Sequence, residues 1–162
     1  MLQARLRLLV AAIWAGSLWT VGYLAAPTLF ATLSDRVLAG TIAASLFNVQ
    51  AWLSLGCGAA MLVLLAVAGA GNRTASAGVN VGPVAAPRAR RTGLLIVAAM
   101  LLGTLVVHFG VQPLMAELRA AAGPAGVMES AAKSRFGMLH GVSSGIYLIQ
   151  SLLAGWLLLR QQ

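Results

Sequence analysis

Charge is what this sequence has least of. Only 9% of its 162 residues are Asp, Glu, Lys or Arg, where soluble domains carry about a quarter. Three are acidic, namely Asp35, Glu117 and Glu129, and each falls at the edge of an apolar segment rather than inside one. General acid–base chemistry therefore has almost nothing to work with. HExxH, a Walker loop, GxGxxG after a strand, and Ser–His–Asp with a usable carboxylate are all missing, and the chain is expected not to be an enzyme. The single cysteine, Cys57, excludes an intrachain disulfide and any CxxC redox or zinc pattern. Set among small apolar residues, it reads as a buried small hydrophobe rather than a reactive thiol.

What the sequence has in abundance is apolar surface, with 60% hydrophobic residues and a mean hydropathy of +0.90. A soluble core of this size cannot bury so much, so lipid is the expected second solvent. The net charge of +8 could point to nucleic acid, but the basic residues form no stripe and interleave with no aromatic platform. Nucleic acid is excluded as a partner, and the basic excess is read as a membrane orientation signal.

Charges divide the chain into four uncharged intervals. They hold 27 residues between Arg7 and Asp35, 36 between Arg36 and Arg73, 25 between Arg91 and Glu117, and 24 between Arg135 and Arg160. A helix crossing the hydrocarbon needs about 20 residues, so each interval fits one span. The expected fold is all-α, an integral membrane four-helix bundle forming one domain, with spans near 8–33, 43–69, 93–116 and 137–159. The first apolar run is too long for the core of a secretory signal. Between spans lie a Gly-, Pro- and Arg-bearing linker at 70–92 and a segment at 117–136, which reads as short interfacial helices broken at Gly123-Pro124. Arg5, Arg7, Arg73, Arg88, Arg90, Arg91 and Arg160 would lie on one side, and Arg36, Arg119, Lys133 and Arg135 on the other. That asymmetry predicts cytoplasmic termini and a cytoplasmic 70–92 linker. No internal repeat stands out.

Each span carries a polar or small-residue stripe at helical spacing. On the first it is Gly16, Thr20, Tyr23 and Pro27, and on the second Thr41, Ser45, Asn48, Trp52 and Gly56. The third has Thr104, His108, Gln112, Met115 and Arg119. On the fourth, His140, Ser143, Ser144, Tyr147, Gln150 and Ser151 share an arc of about 120° at 100° per residue, opposite Val142, Ile146, Ile149 and Leu153. A bundle would bring four such stripes to one interior, with the faces of the third and fourth helices meeting. Hydroxyls and small residues there suit interhelical glue. Pro27 and Pro113 would bend their helices and let the bundle open toward one side.

Ionisable residues inside a span are functional by default, which singles out His108 and His140. With Gln112, Ser144, Tyr147, Tyr23 and Asn48 they form the candidate ligand-binding set. It is expected as one outward-facing polar pocket, closed on the inner side by Leu62, Leu65, Leu94 and Leu158. The expected function is binding or passage of a small solute, or assembly with a membrane-protein partner or a second copy. The alternative is a haem- or copper-binding protein with His108 and His140 as ligands and Met115 or Met138 assisting.

Four stretches carry a resemblance: "APTLFATL" (26–33), "LFNVQAW" (46–52), "VQPLMAELRA" (111–120) and "FGMLHGVSSGIYLIQSLL" (136–153). They resemble the transmembrane-protein-205-like family, whose bacterial members are grouped as domain of unknown function 4149. The resemblance implies a small four-helix protein of the bacterial inner membrane and brings no reaction or ligand with it. A fainter similarity links the chain to copper-resistance-D-like membrane proteins. Those use histidines on membrane helices, which His108 and His140 could match.

Overall fold

A computed structural model describes residues 2–75 and 87–160. Among the described residues all regular structure is helical, with four helices long and apolar enough to cross a membrane. We label them α1 to α4. Helix α1 runs Leu2–Trp19, passes through a π-helical turn at Thr20–Ala25, and ends as Ala26–Thr32. Helix α2 is Arg36–Ala75. Helix α3 repeats the form of α1, with Pro87–Leu105, a π turn at Val106–Val111 and a last stretch at Gln112–Ala122. Helix α4 is Lys133–Leu159. Each packs on its neighbours in sequence, and α4 closes the square against α1.

The π turns stand where kinks are expected. Proline has no N–H, and its ring crowds the carbonyl four residues back. Here the helix widens just ahead of Pro27 and Pro113. The Ala26 N–H donates to Val21 O, and the Gln112 N–H to Val107 O, each five residues back rather than four. Widening keeps the ladder running through a residue that cannot donate.

Helices α1 and α2 are joined by residues 33–35. Asp35 caps α2, its Oδ1 accepting from Val37 N at 2.8 Å and Leu38 N at 3.0 Å, which satisfies two of the orphan donors of the first turn. The α3–α4 connection holds two 3₁₀ turns, Gly123–Ala125 and Val127–Glu129. Gly123 and Gly126 adopt φ of 65° and 82°, a region costly for any side chain. Gly126 backs onto Val37 at the start of α2. The 70–92 linker is shorter than expected, because α2 persists to Ala75 and α3 begins at Pro87; residues 76–86 lie outside the described residues.

One apolar core fills the half of the bundle that carries both termini. Trp14, Leu18, Cys57, Met61, Leu65, Ile96, Val97, Met100 and Leu157 are all buried there, with Leu62, Leu94 and Leu158 packed against them. The expected closure by leucines is present.

Two of the four stripes face outward. Thr20, Tyr23 and Pro27 of α1 are exposed, and the buried face is Ala11, Trp14, Ala15 and Leu18. On α2, Thr41, Ser45, Asn48, Trp52 and Gly56 are exposed, whereas Ala43, Gln50, Ser54, Cys57 and Met61 are buried. The physical reason is visible in the hydroxyls. Thr41 Oγ1 donates to Val37 O at 2.9 Å and Ser45 Oγ to Thr41 O at 3.2 Å. A hydroxyl that donates to its own helix needs no neighbour, while a carboxamide cannot satisfy itself this way. The α3 stripe does face inward, with Thr104 and Met115 buried and His108, Gln112 and Arg119 half-buried.

Candidate functional site

Two carboxamides lie at the centre of the polar half. Gln50 on α2 is 4% exposed and Gln150 on α4 is 5% exposed. Gln150 Nε2 donates to Met100 O at 2.7 Å and to Thr104 Oγ1 at 2.9 Å, while the Thr104 hydroxyl donates to Met100 O at 3.0 Å. A main-chain carbonyl can only accept, so the amide nitrogen must face α3 and the amide oxygen must face away. Gln50 Nε2 donates to Ser54 Oγ at 3.1 Å and Ser17 Oγ at 3.3 Å. Ser17 has committed its own proton to Trp14 O at 2.9 Å, which fixes the second carboxamide in the same way. Neither amide oxygen meets a donor among the described residues.

Both carboxamides line a partly open cavity of about 40 Å³, together with Leu18, Phe47, Thr104, His108, Gln112 and Tyr147. A water needs roughly 10–15 Å³ by this measure, so there is room for about three or four. Two unengaged carbonyl oxygens beside a small, mostly apolar cavity are acceptors for water or for a donor-bearing solute; left dry, each would cost about 1–3 kcal/mol.

The rim is aromatic and hydrogen-bonded. Tyr147 OH donates to Leu18 O at 2.7 Å, tying α4 to α1 next to the π turn. Its ring meets Phe47 edge-on at 5.4 Å and Tyr23 at 6.4 Å. His108, inside the second π turn, sits edge-on to Trp52 at 5.5 Å and Phe109 at 4.6 Å. Below the cavity the core is apolar. Trp14, 1% exposed, buries its indole N–H without a partner among the described residues.

Of the candidate set, the structure brings His108, Gln112 and Tyr147 to one cavity. Tyr23 is exposed and stands outside this cavity, its ring 6.4 Å from that of Tyr147. Asn48, His140 and Ser144 are exposed outside the cavity, with His140 stacked parallel to Phe136 at 6.2 Å. Helices α3 and α4 do meet through their polar faces, but at Thr104 and Gln150 rather than at the histidines. The sequence reading missed Gln50, Ser54 and Ser17. The signal lay in the Gln50–Ser54 pair, four residues apart and in step with Ala43, Cys57 and Met61.

The two histidines of the haem or copper alternative are placed differently. His108 lines the cavity and His140 stands outside it, so the two are not brought to one centre. Among the described residues no three His, Cys, Asp or Glu side chains gather in a way that could hold a metal.

Four apolar spans, a buried polar pair and a proline-linked π turn in α1 and α3 describe a small membrane protein, and a family model matches residues 9–124 of it. The chain belongs to the family described as "Domain of unknown function (DUF4149)". No curated protein and no solved structure matches it. The matched stretch takes in α1, α2 and α3 with their π turns, Gln50, His108 and Gln112, and stops before Tyr147 and Gln150 on α4.

Proposed function

We propose that this member of the family is a non-enzymatic membrane protein that binds a small, neutral, hydrogen-bond-donating solute in the cavity between Gln50 and Gln150. One observation carries the reading: two nearly fully buried carboxamides spend their N–H groups on the protein and leave both carbonyl oxygens unengaged beside a cavity. Donors suit it, and a full charge would be costly at this depth. The packed core beneath argues against an open channel and for a binding step reached from the His108 and Gln112 end.

We place the protein in the bacterial inner membrane with both termini in the cytoplasm, so the cavity opens toward the outer face. Seven basic residues near the ends that would be cytoplasmic, against four at the others, support this orientation. Kinship with the wider transmembrane-protein-205-like group rests on the four motifs alone. Assembly with a second copy or another membrane protein is compatible with this reading.

The test uses a Cys57→Ser background carrying Gln112→Cys or His108→Cys. A membrane-impermeant methanethiosulfonate added to intact spheroplasts should modify both, and added only to the cytoplasmic side of inverted vesicles it should modify neither. Unreactive thiols from both sides would mean a dry interior and defeat the reading. A reporter fused after residue 80 should be active only in its cytoplasmic form; activity of the outside form would reverse the topology.

A further inference from the structure

Helices α1 and α3 correspond residue by residue at a fixed separation of 86. Their π turns, Thr20–Ala25 and Val106–Val111, coincide at that offset, as do Pro27 and Pro113. Burial follows: Ala11 and Val97, Trp14 and Met100, and Leu18 and Thr104 are buried pairs, while Tyr23 and Phe109 are an exposed pair. Helices α2 and α4 correspond at a separation of 100. Gln50 and Gln150, Ser54 and Ala154, and Cys57 and Leu157 are buried pairs, and Val49 with Ile149 and Trp52 with Leu152 are exposed pairs. Few residues are identical, but most equivalent positions are buried or exposed to the same degree; Ala26 and Gln112, and Ala43 and Ser143, are among the exceptions. The two offsets differ by 14 because the α3–α4 connection, with its 3₁₀ turns, is seven residues longer than residues 33–35, while α3 runs four residues further and α4 begins three residues earlier than their equivalents.

Contacts between equivalents locate the axis. Phe47 and Tyr147 touch edge to face at 5.4 Å, and Gln50 and Gln150 line the same cavity. Residues that meet their own equivalents lie on a two-fold axis. In an up–down–up–down bundle that axis runs along the helices, the arrangement of parallel repeats.

We infer that the chain is a duplicated two-helix unit with a two-fold axis down the bundle, and that its cavity is one-sided because three positions break the symmetry. Where α1 has Gly22 and Ala26, α3 has His108 and Gln112; where α2 has Phe47, α4 has Tyr147. On the α1–α4 side the Tyr147 ring lies over Gly22, in the space a Cβ there would need, and its hydroxyl closes onto Leu18 O. On the α2–α3 side Phe47 has no hydroxyl to donate, and His108 and Gln112 edge the open space. The duplication stands on backbone and burial alone. That a solute enters past His108 and Gln112 on the open side rests on the binding reading above.

Symmetry makes a sharp prediction about a hydroxyl that does not exist. The equivalent of the Tyr147–Leu18 bond is a tyrosine at position 47 donating to Thr104 O, and His108 occupies the place that Gly22 leaves empty. Phe47→Tyr alone should lower the thermal midpoint in detergent. Phe47→Tyr with His108→Gly should recover it to at least that of His108→Gly alone. A second measurement needs no thermal readout. In membranes from a Cys57→Ser background, the pairs Gly22→Cys/Tyr147→Cys and Phe47→Cys/His108→Cys should react with a short bifunctional thiol reagent to a similar extent. Additive losses in the double variant, or crosslinking of one pair without the other, would each overturn the duplication. Neither readout involves a solute, so either failure leaves the binding reading standing and is separable from its own.

Discussion

The half of the bundle around Trp14 and the half around Gln50 and Gln150 are built from the same four helices and held by different physics. In the first, Trp14, Met61, Val97, Met100 and Leu157 are all at most 1% exposed, and shape does the holding. In the second, the helices are tied by directed bonds: Gln150 to α3, Gln50 to α1 through Ser17, and Tyr147 to α1. Lipid is as apolar as leucine, so burying carbon gives no drive between membrane helices beyond packing itself. Packing tolerates no gap, while hydrogen-bonded groups can stand around one. That is why the cavity lies among the glutamines.

The largest expected effect is in the packed half. Trp14→Ala should cost about 3–5 kcal/mol, read as a lowered thermal midpoint in detergent. Trp14→Phe should cost far less, because the indole N–H has no partner to lose. If the two cost the same, a hydrogen bond rather than volume holds that site. Next comes the directed half. Gln150→Leu, which removes two donated bonds, should cost about 1–3 kcal/mol, and Gln50→Leu less, since its bonds are longer. The reverse order would shift the weight of the network to α1. A labelling contrast sharpens the line between wet and dry: Val97→Cys, in the packed half, should resist a water-soluble thiol reagent under conditions that modify Gln112→Cys. Smallest of all is His140→Leu, which should change stability by no more than about 0.5 kcal/mol and leave Gln112→Cys reactivity intact. A large effect there would bring His140 back to the site.

The sequence was most informative along the chain and least informative around it. Four spans follow from where Arg7, Asp35, Arg73, Arg91, Glu117 and Arg135 stand, because hydrocarbon forbids charge. The inward face of α3 was readable because Thr104, His108, Gln112 and Met115 differ sharply from their neighbours. On α2 the same reasoning chose the wrong face, since Thr41 and Ser45 count as polar in a sequence although each is satisfied by its own helix. The repeat escaped notice for a related reason. It is conserved as burial and helix geometry, with identities such as Pro27/Pro113 and Gln50/Gln150 too sparse to stand out, and the longer second connection destroys a single period.

Composition and the positions of the charges along the chain determined that this is a membrane protein of four helices with no carboxylate inside the bundle, because water, lipid and charge sort residues whatever their partners. Tertiary structure decided which side of each helix faces in, that Gln50 and Gln150 meet around one cavity, and that His140 does not join His108. Those outcomes depend on which donor finds which acceptor across helices 33 or more residues apart in the chain, and a hydrogen bond is defined by two partners where hydropathy needs only one.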